Sequence, residues 1–299
     1  MKNKKTLGCI FCLLAALVWG LSFVAQSVGN SMGPFTFNAA RSIVAFAALL
    51  PFAIYATKKQ AKKQNESLKT AYANLFKAGI PCSICFVLAE NFQQYAFNFI
   101  ESGRVGFITA FYMIFVPVMS VIMGKKVKAN AWIGVLLGLL GLYFLSVKQG
   151  SFAAGKGELI AFACSFFFAV HIMVIDRTCQ TVNPIALNCF QFLVSSVVTS
   201  ALMLLFEKPE IYQIKQGLLP IIYTGLFSCG LGYTFQMFGQ KYANPTAASL
   251  LLCFESVFSV IFGRLILKEN LGARSLAGCA IMFNGIILTQ IEFKRRKQK

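Results

Sequence analysis

The sequence predicts an all-α integral membrane protein whose ten transmembrane helices form two inverted five-helix repeats. Three observations predict it. Of the 299 residues, 57% are hydrophobic and only 13% charged, with a mean hydropathy of +0.68, whereas a soluble domain is about one-quarter charged. The apolar residues gather into ten long runs, and the first five runs echo the second five. Such a chain cannot hide its apolar surface from water. In lipid its backbone groups must bond within each segment, which selects helices of about 20 residues.

The runs cover residues 7–28, 34–56, 72–98, 102–124, 129–147, 157–176, 184–206, 217–240, 245–267 and 271–291. The first follows "MKNKK" and imitates a secretory signal, with a basic start and an apolar core. Its apolar run continues to Val28 and more spans follow, so it reads as an uncleaved first helix. Connections are short except at 58–69, "KKQAKKQNESLK", which reads as a solvated loop or a short surface helix. Nothing else is long enough for a soluble domain. One polytopic unit uses the whole chain, divided into halves 1–148 and 149–299.

A net charge of +18 invites a nucleic-acid reading, but its distribution argues against nucleic acid as a partner. With the N-terminus inside, 19 Lys and Arg residues fall on inner segments, including Lys2, Lys4, Lys5, Lys125, Lys126, Lys128 and the tail "KRRKQK". Outer loops hold 8, among them Arg104, Lys148, Lys156, Arg264 and Lys268. The asymmetry follows the positive-inside rule and puts both termini in the cytoplasm of a multi-pass cell-membrane protein. Attraction of the lysines to anionic lipid is secondary.

Ten cysteines include two C-x-x-C pairs, Cys9/Cys12 and Cys82/Cys85. Both lie in apolar helices, far in sequence from the one histidine. The favoured reading is small apolar residues in helix packing, with no metal site, cofactor or disulfide implied.

The halves echo each other in one order and at nearly constant offset. Gly8 pairs with Gly157, Trp19 with Phe168, Pro34 with Pro184 and Asn38 with Asn188. "FQQYAF" from Phe92 matches "FQMFGQ" from Phe235, and Gly134 and Gly141 match Gly278 and Gly285. Five helices per repeat is odd, so the second copy enters the membrane upside down. Inverted repeats are a transporter signature, because exchanging two pseudo-symmetric conformations opens a midplane site to alternate sides.

The pattern resembles the EamA-type drug/metabolite transporters. "ALVWGLSFV" from Ala16 is similar to that family's first-helix signature, and "GFITAFYMIFVPV" from Gly106 to its fourth helix. "AASLLLCFESVFSVIFGRLILKENLGARSLAGCAIMFNGIIL" resembles the ninth and tenth, including the Glu after a Leu-rich stretch, here Glu269. The ninth helix often carries Glu-Pro in that family, where this chain has Glu255-Ser256. The proline kink is therefore expected to be weaker, or moved toward Ser256 and Ser259. The resemblance implies a carrier of small organic solutes, often an exporter of amino acids or other metabolites.

A charge at a helix centre costs ~2.5–3.5 kcal/mol on insertion scales, so each needs a partner or a wet cavity. Arg41, Glu90, His171 and Glu255 lie well inside predicted spans. The repeat sets Glu255 opposite Tyr112, His171 opposite Ser22 and Arg41 opposite Gln191, which suits a cavity lined from both halves. Glu255 is the candidate for a solute cation or a coupling proton, since desolvation penalises a charged carboxyl; the alternative is a structural anchor paired with Arg41. Arg41 suits a solute carboxylate, or a counter-ion role to Glu255 or Glu90. Glu90, Gln94 and Asn91 share a helix face; with Gln93, and Gln236 at the equivalent of Gln93, they read as cavity lining or as interhelical glue. Asn38 and Asn188 complete the polar set. His171 titrates near neutrality when unperturbed, but a lone histidine on a Phe-rich helix more often packs. Trp19, Tyr112 and Tyr233 suit an aromatic wall for a cationic or flat solute. Gly134, Gly138 and Gly141 with Gly278 and Gly285 allow close approach of the fifth and tenth helices, or of two copies in a homodimer. Pro117 frees a carbonyl and is a candidate hinge.

A near-motif at 150–157, "GSFAAGKG", has Gly157 where a P-loop needs Ser or Thr. No ATP motor is present, so an ion or solute gradient must drive transport. An intramembrane enzyme is the rival class, but H-E-x-x-H, G-x-S-x-G and paired aspartates are lacking. A channel would favour rings of like groups. An uptake permease for a cationic or nucleoside-like metabolite competes with an exporter.

Overall fold

The computed structural model describes residues 2–100, 102–146, 155–267 and 272–290. Glu269, Lys148, Lys268, the tail "KRRKQK" and 150–154 of the glycine-rich near-motif lie outside them. The described chain is helical throughout: α1 (Lys2–Gly29), α2 (Pro34–Gln64), α3 (Leu68–Ala96), α4 (Ser102–Thr109), α5 (Tyr112–Ile122), α6 (Ala129–Ser146) and α7 (Lys156–Thr178). There follow α8 (Pro184–Phe206), α9 (Ile211–Gln216), α10 (Leu218–Tyr223), a π-helical segment (Thr224–Gly232), α11 (Tyr233–Tyr242), α12 (Pro245–Leu252), α13 (Phe254–Leu267) and α14 (Ala273–Gln290).

Among the described residues, seven segments are long and apolar enough to cross a membrane: Lys4–Gln26, Pro34–Gln64, Leu68–Ala96, Arg104–Ile122, Lys156–Thr178, Pro184–Phe206 and Leu218–Tyr242. Shorter apolar stretches, Ala129–Phe144, Pro245–Ser259 and Leu276–Gly285, lie on the remaining runs. Two features differ from expectation. Most of the basic stretch 58–69 belongs to α2, which runs on to Gln64 and ends where Asn65 takes a left-handed φ of 51°. Good helix formers (Lys, Gln, Ala) carry the helix past its apolar part. In addition, the fourth and ninth runs are interrupted, and the eighth passes through a π-helical segment.

The bundle is apolar on its outer surface, and its apolar core encloses many polar groups. Phe52, Tyr55, Ile122, Leu136, Val197 and Leu204 are exposed, whereas Ser22, Asn38, Ser42, Gln94, His171, Asn188, Gln191 and Ser195 are fully buried. α6 packs along α14, α2 along α8, α3 against α7, and α1 against both α11 and α13. Glycines set the first contact. A Cβ at Gly141 would stand 2.6 Å from the Gly278 carbonyl oxygen, and one at Gly285 3.2 Å from that of Gly134. These are the small-residue faces that let helix backbones meet in lipid.

Polar links hold the two ends. At one, Lys125 Nζ lies 2.7 Å from Asp176 Oδ2, and at the other Arg104 Nη1 lies 3.1 Å from Glu158 Oε1. The α2 N-terminus is capped from α8's far end: the Glu207 carboxylate accepts from the backbone N–H of Phe35 (2.9 Å) and Thr36 (2.7 Å) and from the Thr36 hydroxyl (2.6 Å). Pro34 and Gly33 offer no side-chain cap, so an acid from elsewhere satisfies these orphan donors and meets the positive end of the helix dipole. Glu207→Ala is expected to destabilise the protein by about 1–2 kcal/mol, read as a lowered unfolding temperature in detergent; an unchanged temperature contradicts the capping role.

Candidate functional site

A small cavity opens at the centre of the bundle, with about 40 Å³ for water-sized occupants, room for roughly three waters. Its wall is built in pairs from the two halves. Trp19 and Phe168, and Phe23 and Ile172, stand 149 residues apart; Gln93 and Gln236, Thr109 and Leu252, and Tyr112 and Glu255 stand 143 apart. Gln26, Arg41, Ser228 and Tyr233 complete it.

Glu255 reaches the cavity from the first turn of α13. Tyr112, the first residue of α5, donates its hydroxyl to Glu255 Oε1 at 3.2 Å. Both sit just past a helix interruption, at Ala110–Phe111 and at Cys253, and the interruptions face each other: the Cys253 thiol lies 3.8 Å from the Ala110 carbonyl oxygen. Pro117, one turn into α5, lacks the N–H that would bond the Met113 carbonyl, which loosens that stretch. α12 and α13 break without a proline, by a tight turn in which Ser256 N–H donates to Cys253 O at 3.2 Å. The break expected near Ser256 or Ser259 thus lies before Glu255, so the carboxyl stands at a half-helix N-terminus where the backbone dipole favours negative charge.

Arg41 lines the same cavity, yet its counter-ion is Glu90: Nη2 lies 3.5 Å from Oε2, with both groups buried. Glu90 Oε1 also accepts from the Ser195 hydroxyl, which is 3.0 Å from that of Ser42. Arg41 is therefore neutralised from α3, and Glu255 has no cationic partner among the described residues. Trp19 donates Nε1–H to the Ser228 carbonyl at 3.2 Å, and its ring centroid is 4.7 Å from that of Tyr233.

A family model described as the EamA-like transporter family matches this chain twice, over residues 6–147 and 155–291. The chain belongs to that family. An uncharacterized transporter of Archaeoglobus fulgidus is 27% identical over 280 residues, 93% of this chain and 84% of that protein. The uncharacterized transporter YoaV of Bacillus subtilis is 23% identical over 287 residues, covering 94% of this chain and 96% of its own. Protein PagO of Salmonella typhimurium is 22% identical over 296 residues, 97% and 94% of the two chains. A crystal structure of another protein superposes with a TM-score of 0.76 at 16% identity over 94% of this chain and 95% of its own, a likeness of fold. The protein is a multi-pass membrane transporter.

In this EamA-like transporter the remaining candidates stand outside the cavity wall. Asn38 donates to the Glu90 carbonyl and to Asn91 Oδ1, both at 3.2 Å. Asn188 does the same on the other side, donating to Cys229 O and Gly230 O (3.1 Å each) and to Thr234 Oγ1 (2.9 Å). Gln191 donates to Asn188 Oδ1 at 2.8 Å while its oxygen faces His171 Nε2 at 3.0 Å, so the imidazole carries its proton on Nε2. His171 is thereby a buried member of a helix-locking network. Gln94 bonds the Gln26 carbonyl (3.2 Å) and Asn30 Oδ1 (3.1 Å). Glu90 belongs with Arg41.

The cavity also uses residues that composition hid. Gln26 and Thr109 are buried polar groups on the wall, and Thr109 accepts from Gln93 at 3.4 Å. Ser228 is reached through its carbonyl, within the π segment, whose one-residue surplus per turn redirects backbone groups and is common at functional sites. The glycines of "TGLFSCGLG" are the signal that could have revealed it. A Cβ at Gly232 would fall 2.5 Å from Trp19 Nε1, so the indole would have to move. Gly232→Ala is expected to push the indole off Ser228 and cut transport severalfold, with a shifted Trp fluorescence maximum; unchanged emission would remove this account.

Proposed function

We propose that this transporter is a secondary-active carrier that moves a small organic cation, such as an amine or amino-acid-related metabolite, across the cell membrane by alternating access. Export is the favoured direction and uptake the competing one. The carrying observation is charge: Arg41 is spent on Glu90, while Glu255 faces the cavity with Tyr112 as its hydrogen-bond partner. A carboxylate between Trp19, Tyr112 and Tyr233 offers an ion-pair acceptor and ring faces together, the two features that hold ammonium groups. In the absence of solute, Glu255 is our candidate for carrying a coupling proton.

Ten spans in two inverted repeats, 1–148 and 149–299, with both termini cytoplasmic, are the architecture we assign to this cycle. Supporting it are the double family match, the paired wall residues, and contacts that recur when halves are exchanged: α3 on α7 as α1 on α11, and α5 on α7 as α13 on α1. The small cavity fits an occluded state, from which either face would open. The test is counterflow in proteoliposomes with amines, amino acids and nucleosides, with and without a pH gradient. Exchange of cationic solutes above all others is expected; exclusive exchange of anions overturns the reading.

A further inference from the structure

We propose that a second cavity, at the Lys125 end of the bundle, binds a phosphate group. It is roomier than the central one, about 170 Å³ by the same measure, or roughly a dozen waters, and the two share no lining residue. Four lysines line it: Lys5 from α1, and Lys125, Lys126 and Lys128 from the connection between α5 and α6. Among the described residues no acidic side chain lines it; Asp176, paired with Lys125 at 2.7 Å, is the carboxylate nearest to it. Ammonium groups gathered over a concave surface concentrate anions.

The floor supplies the directional contacts. The N-terminus of α12 opens into the cavity: Asn244 caps Ala247 N–H at 2.8 Å, and Pro245 has no N–H to satisfy. Thr246 N–H, at the second helical position, has no acceptor within the helix. Thr246 is only 7% exposed and lines the cavity, and among the described residues its hydroxyl has no protein partner. A hydroxyl open to the cavity beside an orphan N–H on a helix start, under a rim of ammonium groups, is the donor set a tetrahedral oxyanion takes. Lys126 is exposed and, among the described residues, has no carboxylate partner, so its ammonium is available to close over the group.

The place of this site gives it a consequence. α12 runs from Thr246 at the phosphate site to Leu252 on the wall of the central cavity. A bound phosphate would tie α1, the α5–α6 connection and α12 together at this end, restraining the half-helix that precedes Glu255.

The phosphate could come from an anionic phospholipid headgroup or from solution, and the experiment separates them. Purified protein in neutral detergent is titrated at fixed ionic strength with inorganic phosphate, short-chain phosphatidylglycerol or short-chain phosphatidylcholine, while its unfolding temperature is followed. A saturable rise with phosphatidylglycerol alone assigns a lipid headgroup, and a rise with inorganic phosphate assigns the free ion. In either case Lys126→Gln and Thr246→Val are expected to raise the apparent Kd at least tenfold, while Lys62→Gln, on the basic end of α2, leaves it unchanged. No saturable rise, an equal rise with phosphatidylcholine, or equal Kd in all variants overturns the proposal. The outcome does not depend on which solute the central cavity carries.

Discussion

Replacing Glu255 by Gln is expected to reduce counterflow of cationic solutes by one and a half to three and a half decades without unfolding the protein. The substitution keeps volume, and the amide oxygen still accepts from Tyr112 at the 3.2 Å position. What it removes is the negative charge, and no other group replaces it. Arg41 holds Glu90 outside the cavity wall, so no second carboxylate is released. Truncating one member of a buried charge pair costs ~2–5 kcal/mol, and each ~1.4 kcal/mol is tenfold, which sets the range. Tyr112→Phe makes the comparison sharp. It deletes one hydrogen bond of ~0.5–1.5 kcal/mol, so a loss of a few-fold is expected, with the response to a pH gradient retained. Glu255→Gln should abolish that response as well. Full transport with an unaltered gradient response would sink both roles of Glu255 together. Survival of exchange with loss of the gradient response would keep the proton and discard the cation.

How much of this was legible in the sequence depends on how local each cause is. The α8 bounds, Pro184–Phe206, coincide with the predicted run because a proline start and an unbroken apolar stretch are local signals. The constant offset between the halves was legible in the spacing of like residues; it set Tyr112 opposite Glu255, and the structure brings the two into contact at 3.2 Å. The break at Cys253 was not legible. Cysteine is no helix breaker, and the turn there meets Ala110 across the bundle, a tertiary contact that sequence does not display. The partner of Arg41 was equally hidden: Glu90 and Glu255 both qualified by depth, and helix register alone decided for Glu90. Asn38 and Asn188 show why a polar residue in a span is ambiguous. Facing a cavity and facing a neighbouring carbonyl both rescue a buried amide, and periodicity cannot tell the two apart. Gln26 was missed because a single polar residue near a span's end looks like an ordinary boundary position, and Thr109 because a lone threonine in a helix can satisfy itself on its own helix's carbonyls.

Arg41→Ala is expected to cost ~3–5 kcal/mol of stability, among the largest losses in the bundle, because it strands the buried Glu90 carboxylate. Glu90 cannot recover the lost bonding. Its remaining partner is the Ser195 hydroxyl, and Ser195 is shared with Ser42. Glu90→Ala should cost a similar amount by stranding the guanidinium, relieved only in part by its position over the Phe37 ring at 5.4 Å. Removing both charges as Arg41→Met with Glu90→Leu should restore most of the stability, since apolar replacement of a buried pair is often neutral or favourable. Unfolding temperatures of the singles and the double therefore form a cycle with a strong positive coupling. Additive losses would mean that the 3.5 Å pair contributes nothing as a pair. The double variant also separates structure from transport. If Arg41 serves only to neutralise Glu90, a stable double variant still exchanges cations through Glu255; if it holds a solute carboxylate, the double variant is stable and inactive toward amino acids while still exchanging simple amines.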